Sequence, residues 1–128
     1  MIYLDSSVVL ARLFAEDRSL PDSAFQGSLV SSRLLEYEVW NRIHARKTGS
    51  SRGDEARALL DRVVLLELSS AILARALEPF PIPIRTLDAL HLATIEYLRL
   101  GPNEFELASF DERLLAGARA LDIPLFES

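Results

Sequence analysis

The chain has 128 residues, 49% of them hydrophobic, with no low-complexity stretch. That is the length of one domain, spanning 1–128, with enough apolar material for a core, and it excludes a disordered or fibrous protein. The absence of cysteine excludes disulfides and thiolate chemistry, and a net charge of −5 excludes a general nucleic-acid coating protein.

In chain order, "MIYL" reads as a first strand, followed by "DSS" and then "VVLARLFAE" at helical spacing, with Ser6 or Ser7 capping the helix. A short helix is expected over 20–26, with Pro21 in an early position. "SLVSS" (28–32) reads as the second strand. A long amphipathic helix follows from Arg33 to about Lys47, and "TGSSRGD" stops it. Asp54 is expected to cap the next helix, which runs through Arg62. "VVLLEL" (63–68) reads as a strand and "SSAILARALE" (69–78) as a helix. "PFPIPI" (79–84) can only be a connector, because its prolines remove donors and hold preceding residues extended. "RTLDALHLATIEYLRL" (85–100) is a largely apolar helix capped by Thr86. "EFELASF" (104–110) is a strand, "DERLLAGARALD" (111–122) a helix and "IPLFE" (123–127) a short terminal strand.

Apolar strands alternating with helices predict a three-layer α/β/α domain around a mostly parallel sheet. No apolar run reaches the length of a membrane span, and "MIYLDSSVVLARLF" lacks the basic start and cleavage site of a signal peptide. A cytoplasmic protein, with no membrane partner, is therefore expected. Residues 33–62 hold seven basic and five acidic residues, so this stretch carries +2 and the remainder −7. A basic face and ordinary solvated helix faces both fit that count.

Ligands of open parallel sheets bind at the carboxyl ends of the strands. Asp5 ends the first strand and Asp111 follows "EFELASF", so both stand at that address. Glu38 shares a helix face with Leu34, Asn41 and Ala45, and Asp88 lies two positions after Thr86. Each acid alone has an ordinary explanation as a turn or helix-start residue. Gathered together they would repel and take up protons, unless a divalent cation kept them ionised. With only His44 and His91 as nitrogen ligands, an oxygen-only site for Mg²⁺ or Mn²⁺ suits the composition better than zinc. Such a cation activates water and holds a phosphate, which points to phosphodiester hydrolysis.

The blocks "MIYLDSSVVLARLF", "SSRLLEYEVWNRI", "RTLDALHLATI" and "ASFDERLLAGARALDIPLF" together resemble the PIN-domain ribonucleases, specifically the VapC-type toxins of bacterial toxin–antitoxin pairs. The resemblance covers nearly the whole chain in order. It implies a metal-dependent endoribonuclease toxin of PIN-like α/β/α fold, usually a homodimer, inhibited by a cognate antitoxin. It also implies that Asp5, Glu38, Asp88 and Asp111 are the catalytic acids that bind or organise Mg²⁺, with Mn²⁺ as the alternative. Ser109 matches a supporting hydroxyl, and Ser6 adjoins the first acid. Cleavage would leave a 3′-hydroxyl and a 5′-phosphate.

Glu36, roughly 200° around the helix from Glu38, cannot face the same metal. His91 is read as a buried imidazole packing its helix on the sheet, with a bond to the metal shell or to a carbonyl as its other role. Tyr37 and Trp40 can stack bases or serve core and interface. Arg42, Arg46 and Arg85 are candidates to position phosphates. The apolar faces of "VVLARLF" and of the helix through Leu59 and Leu60 are candidate antitoxin, dimer or core surfaces. A receiver domain fits poorly, since Lys47 is the only lysine and precedes the third strand, and an aspartate-nucleophile phosphatase would place an acid where Ser7 stands. The alternatives kept are a catalytically silent PIN-fold binding module and a free-standing RNA-processing nuclease.

Overall fold

The computed structural model describes residues 1–127; Ser128, included in the expected domain, lies outside the described residues. Its strands are β1 (Ile2–Leu4), β2 (Leu29–Ser32), β3 (Val63–Leu66) and β4 (Glu106–Ala108). They form one sheet in the order β3-β2-β1-β4, and every pairing is parallel. The chain steps outward from β1 to β3 and then crosses back to lay β4 on the other side of β1. The carboxyl ends of β1 and β4 therefore flank the point where the winding reverses, which is where a doubly wound sheet binds ligands.

Strand alternation divides the core. Leu4, Leu29, Val63 and Ala108 pack with α1 (Ser6–Leu13), α2 (Leu34–Ala45) and α3 (Gly49–Leu60). Tyr3, Val30 and Leu107 face the other way, onto α5 (Thr86–Arg99) and α6 (Glu112–Ala120). A short α4 (Ser70–Ala76), capped by the Ser69 hydroxyl, is tied to α5 where Arg75 Nε approaches Glu96 Oε1 to 2.8 Å. The result is the expected three-layer α/β/α arrangement. Among the described residues no helix is long and apolar enough to cross a membrane.

Several local expectations are corrected. The cap of α1 is Asp5 and not Ser6 or Ser7, because the helix begins immediately after the strand. Likewise Thr86 is the first residue of α5, not its cap; Arg85 takes that position without a side-chain bond. The segment 20–26 contains only a 3-10 turn, Asp22–Phe25. Helix α3 begins at Gly49, inside the stretch read as a stop, and Asp54 lies mid-helix paired with Arg57. Burial of Gly53, Ala56, Leu59 and Leu60 outweighs the poor helix propensity of that segment. The terminal strand reduces to a single bridge, Leu107 with Leu125.

The apolar faces considered as partner surfaces are core: Val8, Val9, Leu13, Leu59 and Leu60 are all buried. Exposed apolar side chains gather instead on α4, the 79–84 connector and the start of α5, at Leu73, Leu77, Ile82 and Leu87. Of these, Leu73, Leu77 and Ile82 border a groove of about 730 Å³. The basic stretch is largely neutralised by ion pairs, Arg33 with Glu67, Arg46 with Glu16, Arg52 with Glu55 and Arg57 with Asp54. The solvated-face reading of 33–62 therefore holds.

Candidate active site

Asp5 is 5% exposed, and its Oδ2 is the focus of a polar knot at the switch point. It accepts from Ser7 Oγ at 2.6 Å and Ser109 Oγ at 2.7 Å, with the Ser7 amide at 3.4 Å. The two serines hold the β4 exit in turn: Ser7 Oγ accepts from the Phe110 amide and Ser109 Oγ from the Asp111 amide, both at 2.9 Å. The second serine of "LDSS", not the first, thus supports the acid. Among the described residues no side-chain bond joins Ser6 to Asp5.

Asp111 caps α6, its Oδ1 accepting from the Arg113 amide at 2.9 Å, and it is exposed. Asp88 stands half-buried in the first turn of α5. Burial pushes its carboxyl above the usual carboxylate range, and the charges of Asp111, Asp5 and Glu38 push the same way, against the imidazole of His91. Asp88 thus feels all three of the other acids. Among the described residues, however, no three acidic or imidazole groups form a ready ion-binding cluster. Three of the four acids already give one oxygen to a protein donor, Asp5 Oδ2, Glu38 Oε1 and Asp111 Oδ1. The donor set still fits a hard divalent cation in kind, since it is carboxylate only and its repulsion on Asp88 is what such a charge relieves.

Glu38 reaches its site from α2 and meets α5. Its Oε1 lies 2.7 Å from His91 Nε2, and His91 Nδ1 lies 2.7 Å from the Tyr3 hydroxyl. Burial disfavours the charged imidazole, but the Glu38 bond and charge, with Asp5 and Asp88 behind it, outweigh burial and raise its pKa. Burial drives the Tyr3 phenol strongly upward, so its hydroxyl keeps its proton. Of the two roles read for His91, the structure shows both a buried ring and a bond to one of the acids. Glu36 is paired with Arg33 at 3.5 Å, away from the acids.

The candidate arginines separate. Arg46 is engaged by Glu16 and stacks on Phe14, whereas Arg42 is exposed with no ion pair among the described residues. Arg85 lines a cavity of about 440 Å³ together with Asp88 and Arg113. Neither Arg85 nor Arg113 has a side-chain hydrogen bond or ion pair among the described residues. Trp40 packs on the core under Arg57, while Tyr37 is 66% exposed. Sequence reasoning missed Ser7, Arg113 and the Tyr3–His91–Glu38 connection. Only Ser7 left a signal, because a serine two residues after a helix-capping Asp is placed to bond back to it.

A doubly wound parallel sheet with acids at its switch point defines a three-layer α/β/α domain with a polar site at the carboxyl edge of its strands. The chain matches the PIN domain over residues 2–120. It is 30% identical to "Ribonuclease VapC47" of Mycobacterium tuberculosis (strain CDC 1551 / Oshkosh) over 125 residues, covering 93% of this chain and 90% of that protein. It is 33% identical to "Ribonuclease VapC46" of Mycobacterium tuberculosis (strain ATCC 25618 / H37Rv) over 126 residues, 94% and 92% of the two chains. The chain belongs to the PIN domain family and, within it, resembles the VapC ribonucleases along its length.

Proposed function

We propose that the protein is a metal-dependent endoribonuclease toxin, held in check by a cognate antitoxin in the cytoplasm. The observation that carries the reading is Asp88: its carboxyl is raised by burial and by three acids brought from three other elements. The ribonuclease relatives supply the substrate class. In this reading Asp5, Glu38, Asp88 and Asp111 hold or organise Mg²⁺, with Mn²⁺ as a substitute. When bound, the ion supplies charge to the phosphodiester and lowers the pKa of an attacking water.

The chain's own residues do the rest. Ser7 and Ser109 fix one oxygen of Asp5, so its carboxylate does not rotate. Asp111 is fixed by the start of α6. Arg85 and Arg113, which line the cavity with Asp88 and have no acidic partner among the described residues, neutralise and orient the RNA backbone there. The apolar groove along α4 and the connector suits a protein partner, a second copy or the antitoxin, better than RNA.

The test is incubation of the purified protein with total RNA and Mg²⁺ or Mn²⁺, beside Asp5→Asn and a chelated control. Discrete cleavage in the first sample alone is expected. Equal cleavage in all three, or none in any, ends the metal-nuclease reading.

A further inference from the structure

We propose that His91 is a positioning residue for Glu38, and that Tyr3 sets the hydrogen-bonding role of its ring. The inference rests on the reading of Glu38 as part of the metal site. Its own basis is the geometry between three elements.

His91 is 1% exposed on α5, beside the buried Ala89, Leu92 and Ile95, where a polar ring is tolerated only if its nitrogens are satisfied. Both are, at 2.7 Å each, by groups from different elements: Tyr3 of β1 on Nδ1 and Glu38 of α2 on Nε2. The Tyr3 and His91 rings meet edge to face, with centroids 5.8 Å apart and planes at 86°. Glu38 is a carboxylate and can only accept, so Nε2 must carry a proton. In the neutral ring Nδ1 then accepts from the Tyr3 hydroxyl. In the protonated ring both nitrogens donate, and Tyr3 accepts. Nε2–H donates to Glu38 in either state, so the positioning role does not depend on whether His91 titrates.

The connection also joins the elements that carry three of the acids. Tyr3 lies two residues before Asp5, and His91 lies three residues after Asp88. Glu38 has a long side chain whose rotamers would otherwise be free, and it is 22% exposed. The imidazole anchors Oε1, while among the described residues no bond engages Oε2. One oxygen is thus held and the other is left for the cation or its water, the arrangement by which an outer imidazole or carboxylate orients a ligand.

The experiment is a Mn²⁺ titration by calorimetry on the full chain, with kcat and KM for RNA cleavage measured alongside. The variants are His91→Leu, His91→Gln and Tyr3→Phe, each made with Glu38 intact and with Glu38→Gln. His91→Leu is expected to weaken Mn²⁺ binding about 10–100-fold and to lower kcat while KM moves less than about 3-fold. His91→Gln, which keeps a donor, recovers part of the loss, and Tyr3→Phe gives a smaller loss in the same direction. In the Glu38→Gln background the His91 and Tyr3 substitutions should add less than about 2-fold, because they act through Glu38. Unchanged Mn²⁺ affinity in folded His91→Leu, or losses that simply add to that of Glu38→Gln, overturns the proposal. If His91→Leu does not fold, the Tyr3→Phe and Glu38→Gln pair decides by the same criterion. Failure of the unsubstituted protein to bind Mn²⁺ overturns the metal-site reading itself, and this inference with it.

Discussion

Asp88 shows what the acidic edge costs the free protein. Its carboxyl is raised first by burial and then by the other acids, so the folded state holds that proton more tightly than the unfolded chain does. This contribution to stability is fully present below the unfolded carboxylate pKa. It is lost as pH rises through the folded pKa, above which the ionised group weighs against folding. Asp88→Asn is therefore expected to raise the melting temperature of the metal-free protein. The shift should be roughly 1–4 °C, kept small by solvent screening at a half-exposed position. RNA cleavage should fall by about 100-fold or more in the same variant. Scanning calorimetry beside the cleavage assay checks both, and a lowered melting temperature would contradict the electrostatic account. Asp5, Asp88 and Asp111 stand out as candidates in the sequence, since a carboxylate at a strand end or first helical turn is visible in the pattern, whereas Glu38 lies inside α2 and is singled out by the resemblance. Their partners do not stand out. Ser6 and Ser7 look alike in "LDSS", and only the folded loop decides which hydroxyl reaches Asp5.

Three helices end on left-handed residues that carry a Cβ. At the ends of α1, α2 and α6 the chain turns through Ala15, Lys47 and Asp122, with φ of 50°, 56° and 57°. Each turn closes with a pair of backbone bonds, as in Thr48 N–H to Ile43 O and Lys47 N–H to His44 O, both at 3.1 Å. These are the Schellman closures that glycine usually supplies. Here no glycine stands at the left-handed position, so nothing in the sequence marks the stop. The glycines of "TGSSRGD", read as a break, lie instead within α3. Left-handed backbone is strained for a residue with a Cβ, and glycine's greater unfolded-state freedom offsets only part of that strain. Ala15→Gly and Lys47→Gly are each expected to stabilise by about 0.5–1 kcal/mol, against a loss of similar size for glycine elsewhere in a helix. Urea unfolding measures the change, and a loss of stability at both positions would exclude the strain.

Across the whole molecule, charge is sorted by position. The net −5 includes an acidic edge beside β1 and β4, while many arginines of the basic stretch are paired on the far helices. Arg85 and Arg113 differ in lining a cavity with Asp88 and having no ion pair among the described residues. Replacing both with alanine should raise KM for RNA about 10-fold at low salt and flatten its salt dependence, with kcat within about 3-fold. Steady-state kinetics across a salt series would show this, and an unchanged KM would remove these arginines from RNA recognition. A parallel α/β/α fold was legible from the alternation of apolar runs and helices. The strand order was not, because periodicity reveals which face of a strand is buried but not which strand lies beside it.

That strand order also imposes a sequence in time. Asp5 is made almost at once, yet its hydroxyl support at Ser109 lies 104 positions later. The β1–β4 contact joins parts of the chain far apart in sequence, and such pairings carry the largest closure entropy of the sheet. A growing chain therefore holds Asp5, Glu38 and Asp88 well before it holds the loop that fixes the first of them or supplies Asp111. Synthesis separates the making of the acids from the making of the site.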